Sequence, residues 1–247
     1  MTGNRTIRGV MRAISIVLWS LLLTVISCSD QDGNPDQPTP YQQEVIDYFA
    51  EVALGFEFGS ATHVTRKWKS EVRIFIGGEE NPELLAELNR VIVELESLTD
   101  NLSFSITEDS LQSNYYIFFG AGSEFAARYP PSQQHVTSNW GLFYVFFNGA
   151  NEIYSAVMYV DTHRATLAEA RKHLLREEFT QSLGLARDSQ RYPLSIFYAP
   201  WTTVTDYADI DRDVIRLLYH ASLPGGLDES AVRQLLKDLV KTLQIGA

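Results

Sequence analysis

Residues 176–189 read Arg-Glu-Glu-Phe-Thr-Gln-Ser-Leu-Gly-Leu-Ala-Arg-Asp-Ser, and the fold prediction starts from this segment. Glu177 and Gln181 lie four residues apart, so a helix would project both side chains from one face. Gly184 would let the chain reverse and bring Arg187 back towards that face. Three side chains directed at one point form the arrangement of a tetrahedral zinc site, in which water holds the fourth position.

The spacing resembles the zinc motif of the metzincin peptidases, His-Glu-x-x-His-x-x-Gly-x-x-His. When the two are aligned on Gly184, the glutamate of the motif corresponds to Glu178. The three histidine positions are occupied by Glu177, Gln181 and Arg187. The resemblance therefore implies a zinc-protease scaffold whose zinc-binding side chains have been replaced.

Two downstream segments extend the resemblance. Residues 195–198, Ser-Ile-Phe-Tyr, resemble the Ser-Ile-Met-Tyr turn under the metzincin zinc, with Phe197 in place of methionine. Residues 211–219 resemble the closing helix of the same fold.

A closer resemblance is to the bacterial family called domain of unknown function 2927. It rests on Glu-Glu-x-x-Gln-x-Leu-Gly-Leu at 177–185, on Ser-Ile-Phe at 195–197, and on Leu-Leu-Tyr-His-x-x-Leu-Pro-x-Gly from Leu217 onwards. The resemblance covers most of residues 43–228. It implies a metzincin-like fold with no established chemistry.

The substitutions bear directly on catalysis. In a zinc peptidase the metal lowers the pKa of its bound water to about 7, and the glutamate then acts as general base. Glu178 alone gives no such activation, because bulk water has a pKa of about 16. Glutamine is a weak neutral ligand, and arginine is a permanent cation that binds no metal. We therefore expect no metal, no other cofactor and no metalloprotease activity, with Glu178 as the one candidate catalytic residue.

Two interpretations of the adjacent glutamates stay open. In the first, the Arg187 guanidinium replaces the zinc and pairs with Glu177 or Glu178, with Gln181 nearby, so that a fixed cation neutralises half-buried carboxylates. In the second, both glutamates are solvated on the helix surface. Their partners would then be Arg176 or Lys172.

His173 lies four residues before Glu177, so the two side chains can share a helix face. No third ligand is evident, and we expect a partly exposed structural histidine.

The remaining pattern predicts an α+β fold around a twisted, mixed five-stranded sheet. Strands are predicted at 72–76, 102–106, 115–119, 142–147 and 153–160. Helices are predicted at 41–54, 82–98, 166–183, 210–219 and 228–243. Thr166 and Glu169 form a predicted capping box for the long site helix, and residues 120–139 read as a polar loop.

The aromatic strand at 142–147 corresponds, by the metzincin resemblance, to the edge strand that holds peptide substrates. We expect Tyr144 and Phe146 to line a peptide-binding groove there. The alternative is that the strand is buried on both faces.

The N-terminus predicts a lipoprotein signal peptide over residues 1–27. Three arginines precede an apolar run from Ile14 to Ile26, too short for a comfortable transmembrane helix. The run ends in Val-Ile-Ser-Cys, which resembles the lipobox of bacterial lipoproteins, and Cys28 is the one cysteine of the chain. Cleavage before Cys28 would leave it to carry lipid. The alternative is an ordinary signal peptide ending near a chance cysteine.

Residues 28–40 lack large apolar side chains and predict a flexible tether. The rest, 41–247, is expected to form one metzincin-like domain with a single core. The chain has 20 basic and 31 acidic side chains and a formal charge of −11. This charge disfavours nucleic acid as a partner.

Three functions remain open at this point. The first is a lipid-anchored protein of the bacterial cell envelope, in the outer membrane or a periplasm-facing membrane, that binds polypeptide or another envelope component without catalysis. The second is an envelope hydrolase with an unorthodox site around Glu177, Glu178 and Gln181. The third is a purely structural component.

Overall fold

The computed structural model describes residues 37–58 and 60–246. The predicted signal peptide at 1–27, the predicted lipidation site Cys28 and most of the predicted tether lie outside the described residues. No helix within the described part is long and apolar enough to span a membrane.

Six α-helices and six strands make up the described chain. The helices are α1 Pro40–Ala53, α2 Pro82–Leu98, α3 Gly122–Arg128, α4 Ala168–Gln181, α5 Asp209–Tyr219 and α6 Glu229–Thr242. The strands are β1 Lys67–Trp68, β2 Val72–Gly78, β3 Phe104–Ile106, β4 Tyr115–Gly120, β5 Gly141–Phe147 and β6 Glu152–Asp161.

The strands form one mixed sheet in the order β1-β6-β4-β2-β3, with β5 paired to β6. All pairings are parallel except β5 with β6, which is antiparallel. The expected mixed α/β architecture is therefore confirmed, and each of the five predicted strands is present.

The sheet has six strands, where the sequence predicted five. The additional strand, β1, is only two residues long and pairs with Glu152 and Ile153 at the start of β6. Two residues carry no period-two pattern, so the strand exists because of a partner far along the chain. Trp68 is buried, and its indole nitrogen donates to the carbonyl of Ser182, just after α4.

Helix starts follow local sequence where a capping side chain is available. Thr39 and Gln42 form a capping box at α1, and Asn81 caps α2 immediately before Pro82. These contacts satisfy backbone N–H groups that lack partners in the first turn. For this reason α2 has the bounds that its sequence predicts.

The predicted capping box of α4 is wrong. The helix begins at Ala168, and its N-cap residue is Leu167, with no side-chain cap hydrogen bond. The turn before it is organised by buried Asp161, whose Oδ1 accepts from the backbone N–H of His163 and of Arg164. The start of α4 is therefore set by this turn around Asp161 and not by a side-chain cap from Thr166.

The predicted polar loop at 120–139 is also wrong, because it contains α3 and a short 3-10 helix, Pro130–Ser132. Phe125 of α3 is fully buried and stacks on Tyr159 of β6, with ring centroids 4.7 Å apart. Tertiary packing of one aromatic residue stabilises a helix too short to show an amphipathic period.

Candidate functional site

A cavity of about 940 Å³ lies between α4, β5 and two loops, which contribute residues 56–58 and 60–61 and residues 198–201 and 203. Its walls combine aromatic side chains with four carboxylates. The carboxylates are Glu57, Glu177, Glu178 and Asp188. This volume is within the usual range of ligand-binding pockets, which is roughly 300–1,000 Å³.

Both adjacent glutamates of α4 line the cavity. Glu178 reaches it beneath β5, where Gly141 leaves the necessary space. A Cβ at Gly141 would lie 2.5 Å from Oε1 and 2.7 Å from Cγ of Glu178. The glycine at the start of β5 is therefore required by the position of the glutamate.

Burial and mutual repulsion hold these carboxyl groups towards their protonated form. Burial raises the pKa of Glu177 and of Glu178 well above the ordinary value, and the neighbouring carboxylates raise both further. Burial likewise raises the pKa of Glu57 and of Asp188. A cluster of this kind cannot be fully ionised without a cation or a large solvation cost.

His173 is buried, contrary to the expected partial exposure. Its Nδ1 lies 2.7 Å from the carbonyl of Val204, so Nδ1 carries the proton and donates. Its Nε2 lies 3.4 Å from Oε2 of Glu177. Burial lowers the pKa of His173 and raises that of Glu177, so both shifts favour a neutral pair.

Arg187 does not replace the zinc, and the first interpretation of the glutamates is wrong. Within residues 37–58 and 60–246 the Arg187 side chain forms no hydrogen bond or ion pair, and it does not line the cavity. Its backbone N–H donates to the carbonyl of Val52 at 3.2 Å. This bond holds the returning chain against the end of α1, and the next residue, Asp188, faces α4 instead.

Asp188 takes the place that was expected of the arginine. Its Oδ1 accepts a hydrogen bond of 2.5 Å from the amide nitrogen of Gln181. The chain can return here because Gly184 has φ of +119°, and a Cβ there would lie 2.0 Å from the carbonyl oxygen of Arg66. Gly184 thus ends the helix region as predicted.

The second interpretation of the glutamates is also wrong, because both proposed partners bind elsewhere. Lys172 pairs with Glu83 at 3.1 Å. Arg176 is fully buried and donates to Glu94 at 2.7 Å, which lies on α2. Glu177 and Glu178 therefore face the cavity without a lysine or arginine partner among the described residues, and Glu177 has His173 beside it.

The turn at 195–198 lies beneath the cavity and is held by the first turn of α5. Ser195 donates to Oδ1 of Asp211 at 2.6 Å, and the backbone N–H of Ile196 donates to Oδ2 at 2.9 Å. Phe197, the residue at the methionine position of the resemblance, is fully buried in the core. Tyr198 lines the cavity. The buried polar network thus fixes one wall of the site.

β5 forms another wall, and its outer edge is unpaired. The strand pairs with β6 alone. Since the N–H of Asp161 donates to the carbonyl of Trp140, the register turns the backbone groups of Phe143 and Val145 away from β6. Within the described chain no hydrogen bond to these groups is present.

The two groove candidates differ. Tyr144 lines the cavity, and its hydroxyl donates to the carbonyl of Pro131 at 3.3 Å. Phe146 does not line it and is 37% exposed. Alternate residues point to opposite faces of a strand. The odd-numbered side chains Phe143 and Val145 accordingly pack against the main core, whereas Tyr144 packs against the second cluster around α3.

Sequence reasoning missed several residues of the cavity because they lie in loops without periodic patterns. They are Glu57, Asp188, Trp140 and Trp201. The indoles of Trp140 and Trp201 meet edge to face, with centroids 5.4 Å apart. An acidic residue directly after the motif was the available signal for Asp188.

The cavity does not form a zinc tripod. Among the described residues no group of three or more His, Cys, Asp or Glu side chains is arranged to hold a metal ion. Of the positions that correspond to zinc ligands, Gln181 is bonded to Asp188, and Arg187 lies outside the cavity. The donor set here does not fit the metal that the sequence resemblance implies.

Comparison with known proteins gives the family and limited structural likeness. Two solved structures, "Structure of myroilysin" and "Crystal structure of myroilysin", are similar to this chain at 12% and 11% identity. The first has a TM-score of 0.40 and covers 64% of this chain and 97% of its own. The second has a TM-score of 0.34 and covers 85% and 98%. No curated protein matches the sequence. The model of one family, described as "Protein of unknown function (DUF2927)", matches residues 42–238, and the chain belongs to that family.

Proposed function

We propose that this protein is a lipid-anchored component of the bacterial cell envelope that binds an extended polypeptide segment without cleaving it. The segment adds as a strand to the free edge of β5 and lies across the mouth of the 940 Å³ cavity. One observation carries the proposal: β5 borders the cavity and is hydrogen-bonded on one side only.

Strand addition needs unpaired backbone groups and pockets for alternate side chains. β5 supplies the N–H and C=O groups of Phe143 and Val145 along its outer edge. Unprotected edges of this length usually carry a charge, a proline or a covering loop. β5 is Gly-Leu-Phe-Tyr-Val-Phe-Phe and carries neither charge nor proline.

Absence of cleavage follows from the side chains at the site. The route through a metal-activated water needs three ligands, and Gln181 and Arg187 do not supply them. Glu178, at the position of the general base, therefore has no metal-bound water from which to take a proton.

The test uses the full chain and a short peptide that is extended, alternates valine with threonine and carries a central lysine. Two further versions of the peptide carry N-methyl groups on alternate backbone amides. One version is methylated at the even-numbered residues and the other at the odd-numbered residues. In strand addition only one alternate set of peptide N–H groups faces β5. We expect one version to lose at least about tenfold in affinity and the other to bind like the parent, measured by fluorescence anisotropy. Equal binding by both versions contradicts strand addition.

Two protein variants provide a matched control. Val145→Pro removes an N–H on the outer edge, where proline is tolerated in strands, and should weaken binding. Val145→Thr keeps the backbone donor and the branched shape, and should bind like the wild type. Circular dichroism shows whether both variants keep the fold.

A second function is favoured by one observation, the raised pKa of the two glutamates beside the cavity. Carboxyl groups with perturbed pKa values in a cleft are candidates for general acid and base catalysis. A hydrolase of this kind would need no metal, so it would release peptide fragments even with a chelator present. Glu178→Gln would abolish this release. Mass spectrometry of the peptide between pH 4 and 8 separates the two functions.

A further inference from the structure

We propose that the cavity binds a positively charged nitrogen group, and that this group is a lysine or arginine side chain of the peptide on β5. This inference rests on the proposed function for the source of the cation. Its physical basis is a cavity wall with four carboxyl groups that no lysine or arginine among the described residues neutralises, beside a pair of partly exposed indoles.

Several carboxyl and amide oxygens of the wall have no partner among the described residues. Glu57 and Glu178 have no hydrogen-bond or ion-pair partner within the described chain. Gln181, only 6% exposed, points its side chain to the cavity, and its amide nitrogen is used by Asp188. Its carbonyl oxygen, Oε1, has no partner among the described residues. These oxygens face the open space of the cavity, so a ligand group rich in N–H donors is complementary to them.

The basic group in the wall is engaged elsewhere. Arg164 lines the cavity, but its Nε donates to Asp161 at 2.7 Å. Its two terminal nitrogens donate to backbone carbonyls, among them those of Val136 and Thr137. The guanidinium is therefore fixed by its own partners and pairs with none of the four carboxyl groups of the cavity.

The aromatic rim fits the same ligand. Trp140 and Trp201 are partly exposed and line the cavity beside the carboxylates. Indole faces attract ammonium and guanidinium groups, most strongly where water is excluded. The apolar stem of a lysine or arginine can pack on these rings while its charged end reaches the glutamates. Acidic groups at the base and indoles at the rim thus match the two parts of one basic side chain.

The peptide series tests this inference on the wild-type full chain. The central lysine is replaced by arginine, by norleucine, which keeps the apolar stem without the charge, or by glutamate. We expect lysine and arginine peptides to bind about 10- to 100-fold more tightly than the norleucine peptide, and the glutamate peptide to bind more weakly still. Equal binding of lysine and norleucine peptides overturns the inference.

Variants locate the charge preference. Glu178→Gln keeps the shape of the side chain and removes its charge, and should reduce the lysine-over-norleucine ratio by about tenfold. Glu80→Gln makes the same change at an exposed position outside the cavity and should leave the ratio unchanged. An unchanged ratio in Glu178→Gln overturns the assignment to this cavity.

The failures of the two proposals are distinguishable. If the norleucine peptide binds as tightly as the lysine peptide and N-methylation still weakens one register, the charge inference fails and strand addition stands. In a separate measurement, binding of the free amine N-acetyl-lysine methylamide is compared between the wild type and Glu178→Gln. If it binds with the same sensitivity to Glu178→Gln while no peptide binds, the cation site is supported and the peptide source is rejected.

Discussion

The side-chain amide nitrogen of Gln181, Nε2, donates a 2.5 Å hydrogen bond to Oδ1 of Asp188. This bond joins the last turn of α4 to the chain that returns after Gly184. Both side chains line the cavity, and within the described chain no lysine or arginine pairs with Glu177 or Glu178. The side chain that organises the return is therefore Asp188, the acidic residue next to Arg187.

Replacement by glutamine should have a small effect on the free energy of unfolding at Arg187 and a large effect at Arg176. Arg187→Gln is expected to change the free energy of unfolding by less than about 0.5 kcal/mol, because the Arg187 side chain has no ion pair in the described chain. Arg176→Gln should cost about 1–3 kcal/mol, because it removes the fully buried guanidinium that bridges Glu87 and Glu94 and leaves these carboxylates with only Arg90 and Arg212. Urea unfolding measures both. A large loss in Arg187→Gln would restore the idea that its guanidinium replaces the metal.

Gly141 and Glu178 should be energetically coupled. Gly141→Ala places a Cβ 2.5 Å from Oε1 of Glu178 and should destabilise the domain by about 1–3 kcal/mol. In the background of Glu178→Ala most of this loss should disappear, because the obstructing side chain is gone. The double-mutant cycle is measured by thermal or urea unfolding. Equal losses in both backgrounds would mean that the glutamate does not pass beneath β5.

The cavity carboxylates should make stability depend on pH in a defined direction. A group whose pKa is raised in the folded state stabilises the fold fully below its unfolded pKa and loses this contribution as pH rises through the folded pKa. The pKa of Glu178 is raised by burial and by Asp188 and Glu57. The free energy of unfolding should therefore fall more steeply above about pH 4.5 in the wild type than in Glu178→Gln.

Other ionisable groups also face the cavity. They are Glu57, Glu177, Asp188, His135 and His173, beside the permanent charge of Arg164. Burial lowers the pKa of His173, which acts in the opposite direction below neutral pH. Comparing Glu178→Gln with the wild type cancels these shared contributions to first order. Parallel stability curves would contradict the raised pKa of Glu178.

Membrane anchoring is tested separately through Cys28. If this residue carries lipid, Cys28→Ser should prevent processing at that position and remove the lipid, detected by mass spectrometry of the mature N-terminus. An unchanged lipid mass in the variant, or a mature N-terminus at another residue, would contradict the lipoprotein assignment.

The sequence was most informative where local chemistry decides the structure. α2 matches its predicted bounds because Asn81 caps it and Pro82 starts it. It was least informative where distant contacts decide. β1 exists through pairing with β6, and α3 is stabilised by burial of Phe125. The spacing of Glu177 and Gln181 correctly placed both side chains on the cavity side of α4. Which later residue returns to that side depends on a distant contact, the backbone hydrogen bond from Arg187 to the carbonyl of Val52.

The central claim is that a peptide strand pairs with the outer edge of β5 and remains intact. Amide hydrogen exchange, followed residue by residue by NMR with the lysine peptide bound, tests it most directly. We predict slower exchange at Phe143 and Val145 on binding, unchanged exchange at Leu142 and Tyr144, which already pair with β6, and a peptide of unchanged mass. Unchanged exchange at Phe143 and Val145 with the peptide bound, or recovery of peptide fragments, would contradict the claim.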